Sequence, residues 1–166
     1  MSEFVKEYHK LKENKNTIKF IKKAIHNSNN SDGGPFGAVI TKNDIVIANG
    51  NNKVTIDNDP TAHAEIVAIR NACKELNDFN LSECILYTSC EPCPMCLSAI
   101  YWARIDKIYY ANTREDARKI DFDDSIIYSE FKKNIKERKI PMIQMMRNEA
   151  LKAFELWDKK KDKVKY

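Results

Sequence analysis

At 166 residues and 19.3 kDa, the chain has room for one ordinary domain, and folding buries roughly 70 % of its unfolded surface without help from a disulfide or metal staple. Hydrophobic residues at 43 % and charged residues at 31 % exclude a disordered chain, and no window approaches the ~20 apolar residues of a membrane span. The net charge of +4 belongs to the ends, with seven Lys against three Glu in residues 1–23 and six Lys against three acids in residues 152–166, whereas residues 24–151 hold 15 basic and 18 acidic side chains; a nucleic-acid partner is therefore not expected of the body of the chain.

The first residues, Met1-Ser2-Glu3-Phe4-Val5-Lys6, carry charge where a signal peptide has its apolar stretch, so a cytoplasmic protein is expected. Residues 1–15 read as a polar N-terminal extension. Phe20, Ile21, Ala24 and Ile25 recur at helical spacing and end in the breaker cluster of residues 27–34, which predicts one helix. Two short β-rich runs, residues 36–41 and 45–48, flank Lys42-Asn43-Asp44 and predict a hairpin in a sheet covered on both faces. Asp59-Pro60-Thr61 supplies helix-start chemistry ahead of a stripe formed by Ile66, Val67, Ile69, Ala72, Cys73 and Leu76. Residues 84–88 predict a buried strand, residues 94–104 a proline-started helix and residues 107–111 another strand, an alternation that implies parallel pairing through crossover helices. Beyond a polar loop at residues 121–124 come a short helix near residues 125–133, an edge strand at residues 142–146 and a C-terminal helix over residues 148–161. No linker or repeat divides the chain, so residues 16–166 read as a single domain.

One constellation carries chemistry: His63-Ala64-Glu65 and, about 30 residues on, Pro92-Cys93-Pro94-Met95-Cys96. Each half falls at a predicted helix N-terminus, where the positive end of the helix favours thiolate over thiol. Cysteines three apart on a first helical turn share a face and reach one ion. Three protein ligands, His63, Cys93 and Cys96, leave a fourth tetrahedral position for water, the pattern of catalytic rather than structural zinc. Zinc lowers the pKa of such a water to about 7, and Glu65 stands close enough in sequence to shuttle its proton.

Taken singly, these residues have plainer readings: His63 as a helix-start histidine, Glu65 as a first-turn acid, and the cysteines as a redox pair or half a zinc ribbon. Cys90, Cys93 and Cys96 also form part of an iron–sulfur spacing, but the further cysteine it requires is absent. Cys90 is accordingly expected beside the site or in a structural role, and Cys73 and Cys84 in the core. No role falls to His9 or His26.

The H-x-E…P-C-x-x-C spacing is that of zinc nucleobase deaminases. From Gly33 onward the chain resembles, more specifically, the guanine deaminases of the cytidine/deoxycytidylate deaminase superfamily. The stretches that carry the resemblance are Gly33-Gly34-Pro35-Phe36-Gly37-Ala38-Val39, Asn51-Asn52, Asn58-Asp59-Pro60-Thr61-Ala62-His63-Ala64-Glu65, Leu86-Tyr87-Thr88-Ser89-Cys90-Glu91-Pro92-Cys93-Pro94-Met95-Cys96, Ala99-Ile100-Tyr101-Trp102-Ala103-Arg104, Phe122-Asp123-Asp124-Ser125 and the terminal Tyr166. The resemblance implies a three-layer α/β/α cytidine-deaminase-like fold with a mixed five-stranded sheet, one zinc ion per subunit, and hydrolysis of guanine to xanthine and ammonia with Glu65 as proton shuttle. It further implies that Phe36 stacks on the purine, Asn52 hydrogen-bonds to it and Asp124 reads its donor edge, with Trp102 at a homodimer interface. The tail, about residues 148–166 and ending in Tyr166, would form a lid that the two subunits could exchange. A carboxylate, an amide and an aromatic face do complement guanine's donors, acceptor and flat ring. Phe36 and Trp102 also fit plain packing, and Asp124 a solvated turn. Ser98 stands where the family usually has glycine. A tRNA adenosine deaminase and a guanosine deaminase remain alternatives within the superfamily, and a structural zinc or redox module remains one outside it.

Overall fold

The computed structural model describes residues 3–165, with side chains from Lys15 onward. Two compact units divide the chain after Asp124.

The first unit opens with α1 (Glu3–Asn29), so residues 3–15 of the polar extension are continuous helix with the predicted element. Next come β1 (Gly37–Lys42) and β2 (Ile45–Asn51), joined by Asn43 and Asp44 with φ of 51° and 61°. Two successive left-handed residues form the turn whose twist matches that of paired strands. A short α2 (Val54–Asp57) and α3 (Ala64–Leu76) follow, each ended by an asparagine in the left-handed region, Asn58 and Asn77. Then β3 (Cys84–Cys90), α4 (Pro94–Trp102), β4 (Lys107–Asn112) and α5 (Arg114–Arg118) complete the unit. Neither α2 nor α5 is foreseen by periodicity, because four or five residues make too little of a repeat.

Strand order is β2-β1-β3-β4; β1 pairs antiparallel with both β2 and β3, and β3 pairs parallel with β4. The sheet is mixed, as expected, but the parallel pairing implied by strand-helix alternation holds only for β3 and β4. Alternate side chains enter two cores. Ala38, Ile40 and Leu86 pack with Ala64, Ala68 and Ala72 of α3 and Ile100 of α4, while Val39 and Tyr87 meet Phe20 and Ala24 of α1. Helices on both faces make the three layers. Close approach needs glycine at two points: a Cβ on Gly37 would lie 2.4 Å from the Ala24 carbonyl oxygen of α1, and one on Gly50 2.0 Å from that of Ala64 in α3. The cysteines Cys73 and Cys84 belong to the α3 side of the core.

The second unit holds α6 (Ser125–Phe131), a 3₁₀ turn (Ile135–Glu137) and α7 (Arg147–Lys159). The predicted edge strand at residues 142–146 does not form, and the sheet has four strands rather than five. The side chains of residues 142–146 are exposed, no strand exists among the described residues of this unit to pair with, and Met146 turns left-handed at φ 50° to cap α7.

Candidate metal centre

The start of β1 and the ends of β2, β3 and β4 share one edge of the sheet, and the loops beyond that edge carry most of the residues singled out by sequence. Against it come two helix N-termini. His63 is the N-cap of α3 and Cys93 that of α4, both in extended backbone, with Pro94 opening α4. Asp59-Pro60-Thr61 forms a turn ahead of the helix rather than its first residues: the Asp59 carboxylate accepts the Thr61 N–H at 2.8 Å and its hydroxyl at 2.7 Å.

His63 Nδ1 lies 3.6 Å from Cys93 Sγ and 3.5 Å from Cys96 Sγ, and the three donor atoms fall within 4.8 Å of one another. A tetrahedral zinc with Zn–S of about 2.3 Å and Zn–N of about 2.1 Å separates its nitrogen and sulfur ligands by about 3.6 Å. The donor set therefore fits zinc in both chemistry and spacing. Hydrogen bonds from Cys96 and His63 draw the Cys93 thiol down to about 4, and the neighbouring thiolate, with burial, pushes Cys96 up. A bound metal ion favours the thiolate form of both sulfurs. The pairing with Cys93 raises His63.

Glu65, on the first turn of α3, is 6 % exposed, and desolvation pushes its carboxyl up. Its Oε1 accepts the Thr88 hydroxyl at 3.1 Å and its Oε2 faces Cys96 Sγ at 3.5 Å. A carboxyl with a raised pKa, held beside a metal donor, suits proton transfer. Thr88, which orients it from β3, carries no signal in the sequence, since its partner is 23 residues away.

The other predicted residues are placed as follows. Asn52 is buried, with its Oδ1 accepting the Val54 N–H at 3.1 Å and its main chain donating to the Phe36 carbonyl at 3.2 Å. Fixed in that way, the side-chain NH₂ is the end left for a ligand. The Phe36 ring meets Phe122 edge-on, centroids 4.9 Å apart and planes at 85°. Asp124 is half-buried, and its carboxyl is pushed up first by that burial and then by the negative charge of Cys93. Trp102 ends α4 with 66 % of its surface exposed. Tyr166 lies outside the described residues. Cys90 stands apart from the trio; its thiol donates to the Thr113 carbonyl at 3.6 Å, and burial pushes it up to about 11. The iron–sulfur arrangement is thus not assembled. Ser98 bonds back to the Pro94 carbonyl at 2.8 Å within α4, which leaves the ligands untouched.

Comparison with known proteins agrees with this geometry. Residues 11–112 match the cytidine and deoxycytidylate deaminase zinc-binding region. The chain is 52 % identical over 151 residues to a guanine deaminase of Bacillus subtilis, covering 89 % of this chain and 97 % of that one. The crystal structure of guanine deaminase from Bacillus subtilis superposes with a TM-score of 0.86 at 51 % identity, over 89 % of this chain and 97 % of that one. A tRNA-specific adenosine deaminase of Buchnera aphidicola is 34 % identical over 127 residues, or 76 % of this chain and 82 % of that one. Zinc-fitting donors at two helix N-termini, a buried glutamate beside them and these likenesses over most of the sequence have one explanation: the chain belongs to the cytidine and deoxycytidylate deaminase family of zinc-binding proteins.

Proposed function

We propose that the protein is a guanine deaminase, a hydrolase acting on a cyclic amidine C–N bond, that converts guanine and water to xanthine and ammonia. The observation that carries this reading is a buried carboxylate, Glu65, held at a zinc-type His-Cys-Cys trio. Support for guanine over a tRNA adenosine comes from the 52 % identity that extends through nearly the whole length of the Bacillus relative, against 34 % for the Buchnera tRNA enzyme.

His63, Cys93 and Cys96 would hold the zinc ion, which when bound lowers the pKa of water to about 7. Glu65 takes a proton from the attacking water as its oxygen bonds to guanine carbon 2. It passes that proton to a ring nitrogen, then takes the second proton from the added oxygen as that oxygen becomes the carbonyl of carbon 2, and gives it to the amine as the carbon–nitrogen bond breaks and ammonia leaves. Phe36 stacks on the ring, the Asn52 amide donates to it, and Asp124 accepts from its N–H groups. Purine with these polar edges left unpaired is rejected strongly, because the site's own buried groups then lose their partners.

Residues 16–166 act as one deaminase, with 1–15 as an appended extension and the tail at about 148–166 closing over the site through Tyr166. The working form is a homodimer with Trp102 at its interface and the tails exchanged. What supports this is the second unit, in which no described residue is buried. No helix is long and apolar enough to cross a membrane among the described residues. Five free cysteines, two of them needed as thiolates, favour the reducing cytoplasm as its place of work.

The test is to give the zinc-loaded protein guanine, guanosine and tRNA in parallel, following ammonia release and the ultraviolet change to xanthine. Turnover of guanine alone is expected. Absence of guanine turnover in protein carrying one zinc per chain would overturn the substrate assignment, and adenosine-to-inosine conversion in tRNA would replace it.

A further inference from the structure

We propose that Glu91 is a positioning residue of this site: by accepting the main-chain N–H of Arg114, its carboxylate fastens the turn that leads to Asp124 onto the turn that carries Cys93. The inference rests on the guanine reading for the role of Asp124 and adds a residue that touches neither metal nor substrate.

The parallel strands β3 and β4 end side by side, with Cys90 opposite Asn112. Beyond that pair the two chains part, one into α4 and the metal ligands, the other into α5. Three contacts bridge them as they diverge. The Glu91 N–H donates to the Asn112 carbonyl at 2.8 Å, the Cys90 thiol donates to the Thr113 carbonyl at 3.6 Å, and Glu91 Oε2 accepts the Arg114 N–H at 3.2 Å. Only the last depends on a charged side chain. Arg114 is the first residue of α5, so its N–H is among the donors that a helix leaves unsatisfied.

Five residues form no stable helix alone, so the placement of α5 is set by what holds its ends. At its start stand Glu91 and the Thr113–Asp116 capping box. At its far end the Ala117 carbonyl accepts the Phe122 N–H at 3.1 Å, and Arg118 pairs with Asp123 at 3.5 Å. Phe122 in turn rests on Phe36. The stretch that ends in Asp124 is thereby carried by α5, and α5 by its attachment to the residue two before Cys93. A glutamate in a solvated loop would be expected to face water or a lysine; this one spends an oxygen on main chain. Displacing a binding group by about 1 Å is enough to weaken a site substantially.

The experiment uses the zinc-loaded full chain with Glu91→Ala, Glu91→Gln, Arg114→Pro and Arg114→Ala. For Glu91→Ala, KM for guanine rises about tenfold while kcat changes less than about threefold, the size of one lost charge-assisted hydrogen bond. Glu91→Gln, whose amide oxygen still accepts, restores KM to within about threefold of the parent. Arg114→Pro deletes the donor at a helix position that tolerates proline. Measured against Arg114→Ala, it matches Glu91→Ala, and the double variant Glu91→Ala/Arg114→Pro is no worse than either. Hydrogen exchange gives a reading free of substrate: amides of residues 112–118 exchange faster in Glu91→Ala, with zinc per chain unchanged.

Parental KM and exchange in Glu91→Ala would overturn the proposal. So would equal damage from Ala and Gln, or loss of zinc in Glu91→Ala, which would assign the residue to the metal instead. If the parent fails to turn over guanine, the guanine reading falls by itself, and exchange with zinc content still decides whether Glu91 joins the two turns.

Discussion

Glu65 combines three properties that pull against one another: a carboxylate, nearly complete burial, and a position at the Cys96 sulfur. Burial favours its neutral form, while the Thr88 hydroxyl supports the ionised one. Burial outweighs the hydroxyl, so the carboxyl holds a proton more readily than a solvated glutamate. Glu65→Gln keeps the size and the Thr88 contact but cannot carry a proton. It is expected to retain one zinc per chain and to lose a factor of about 10² to 10⁴ in kcat; full activity in the variant would remove Glu65 from the mechanism. At this scale the metal residues are legible in the sequence, because His63 and Cys93 cap two helices and Glu65 and Cys96 follow on their first turns, where local spacing sets which side chains come together. Thr88 and Glu91 are not legible, since each acts on a residue 23 positions away through strand adjacency that no local pattern records.

Among the elements, the hairpin, the two ligand-bearing helices and the central strands follow from apolar period and turn chemistry, whereas their mutual distances depend on glycine. Gly50 lets β2 lie against the backbone of α3 at Ala64, one residue from His63 and Glu65. Gly50→Ala inserts a methyl where no flexible side chain can give way. The expected cost is about 1–3 kcal/mol, seen in denaturant melts, together with weaker zinc retention against a chelator as α3 moves; unchanged retention would show that the helix start is held from elsewhere. For α5 the capping box matters. The Thr113 hydroxyl, its N–H and then Lys119 hold the Asp116 carboxyl down to about 2. A carboxyl lower in the folded than in the unfolded state stabilises above its unfolded pKa, near 3.8, and loses that contribution as pH falls through the folded value. The stability difference between the parent and Asp116→Asn is therefore expected to be flat from neutral pH to about 4 and to shrink toward about 2, as measured by melts across that range. A difference that closes nearer neutrality would mean the carboxylate is not held in this way.

For the molecule as a whole, the informative feature is apolar surface. Ile143, Met145, Phe154 and Leu156 of the second unit are all more than 70 % exposed, and in the first unit Tyr101 and Trp102 stand open on α4. A unit of 42 residues is close to the size below which chains rarely hold a core unaided, and α7 keeps its apolar side chains outside. The sequence carries this pattern too, in Met-Ile-Gln-Met-Met at residues 142–146, which reads as a strand because period alone cannot say whether a pairing partner lies in the same chain. The proposed homodimer would bury apolar surface of this kind against a second copy of the chain. Sedimentation is expected to give twice the 19.3 kDa chain mass. Placing charge in that surface, with Ile143→Glu and Phe154→Glu together, is expected to yield monomer. If the exchanged tail completes the site, guanine turnover falls with the dimer and recovers as protein concentration is raised. A parent that sediments as a fully active monomer would overturn the exchange and leave each chain to close its own site.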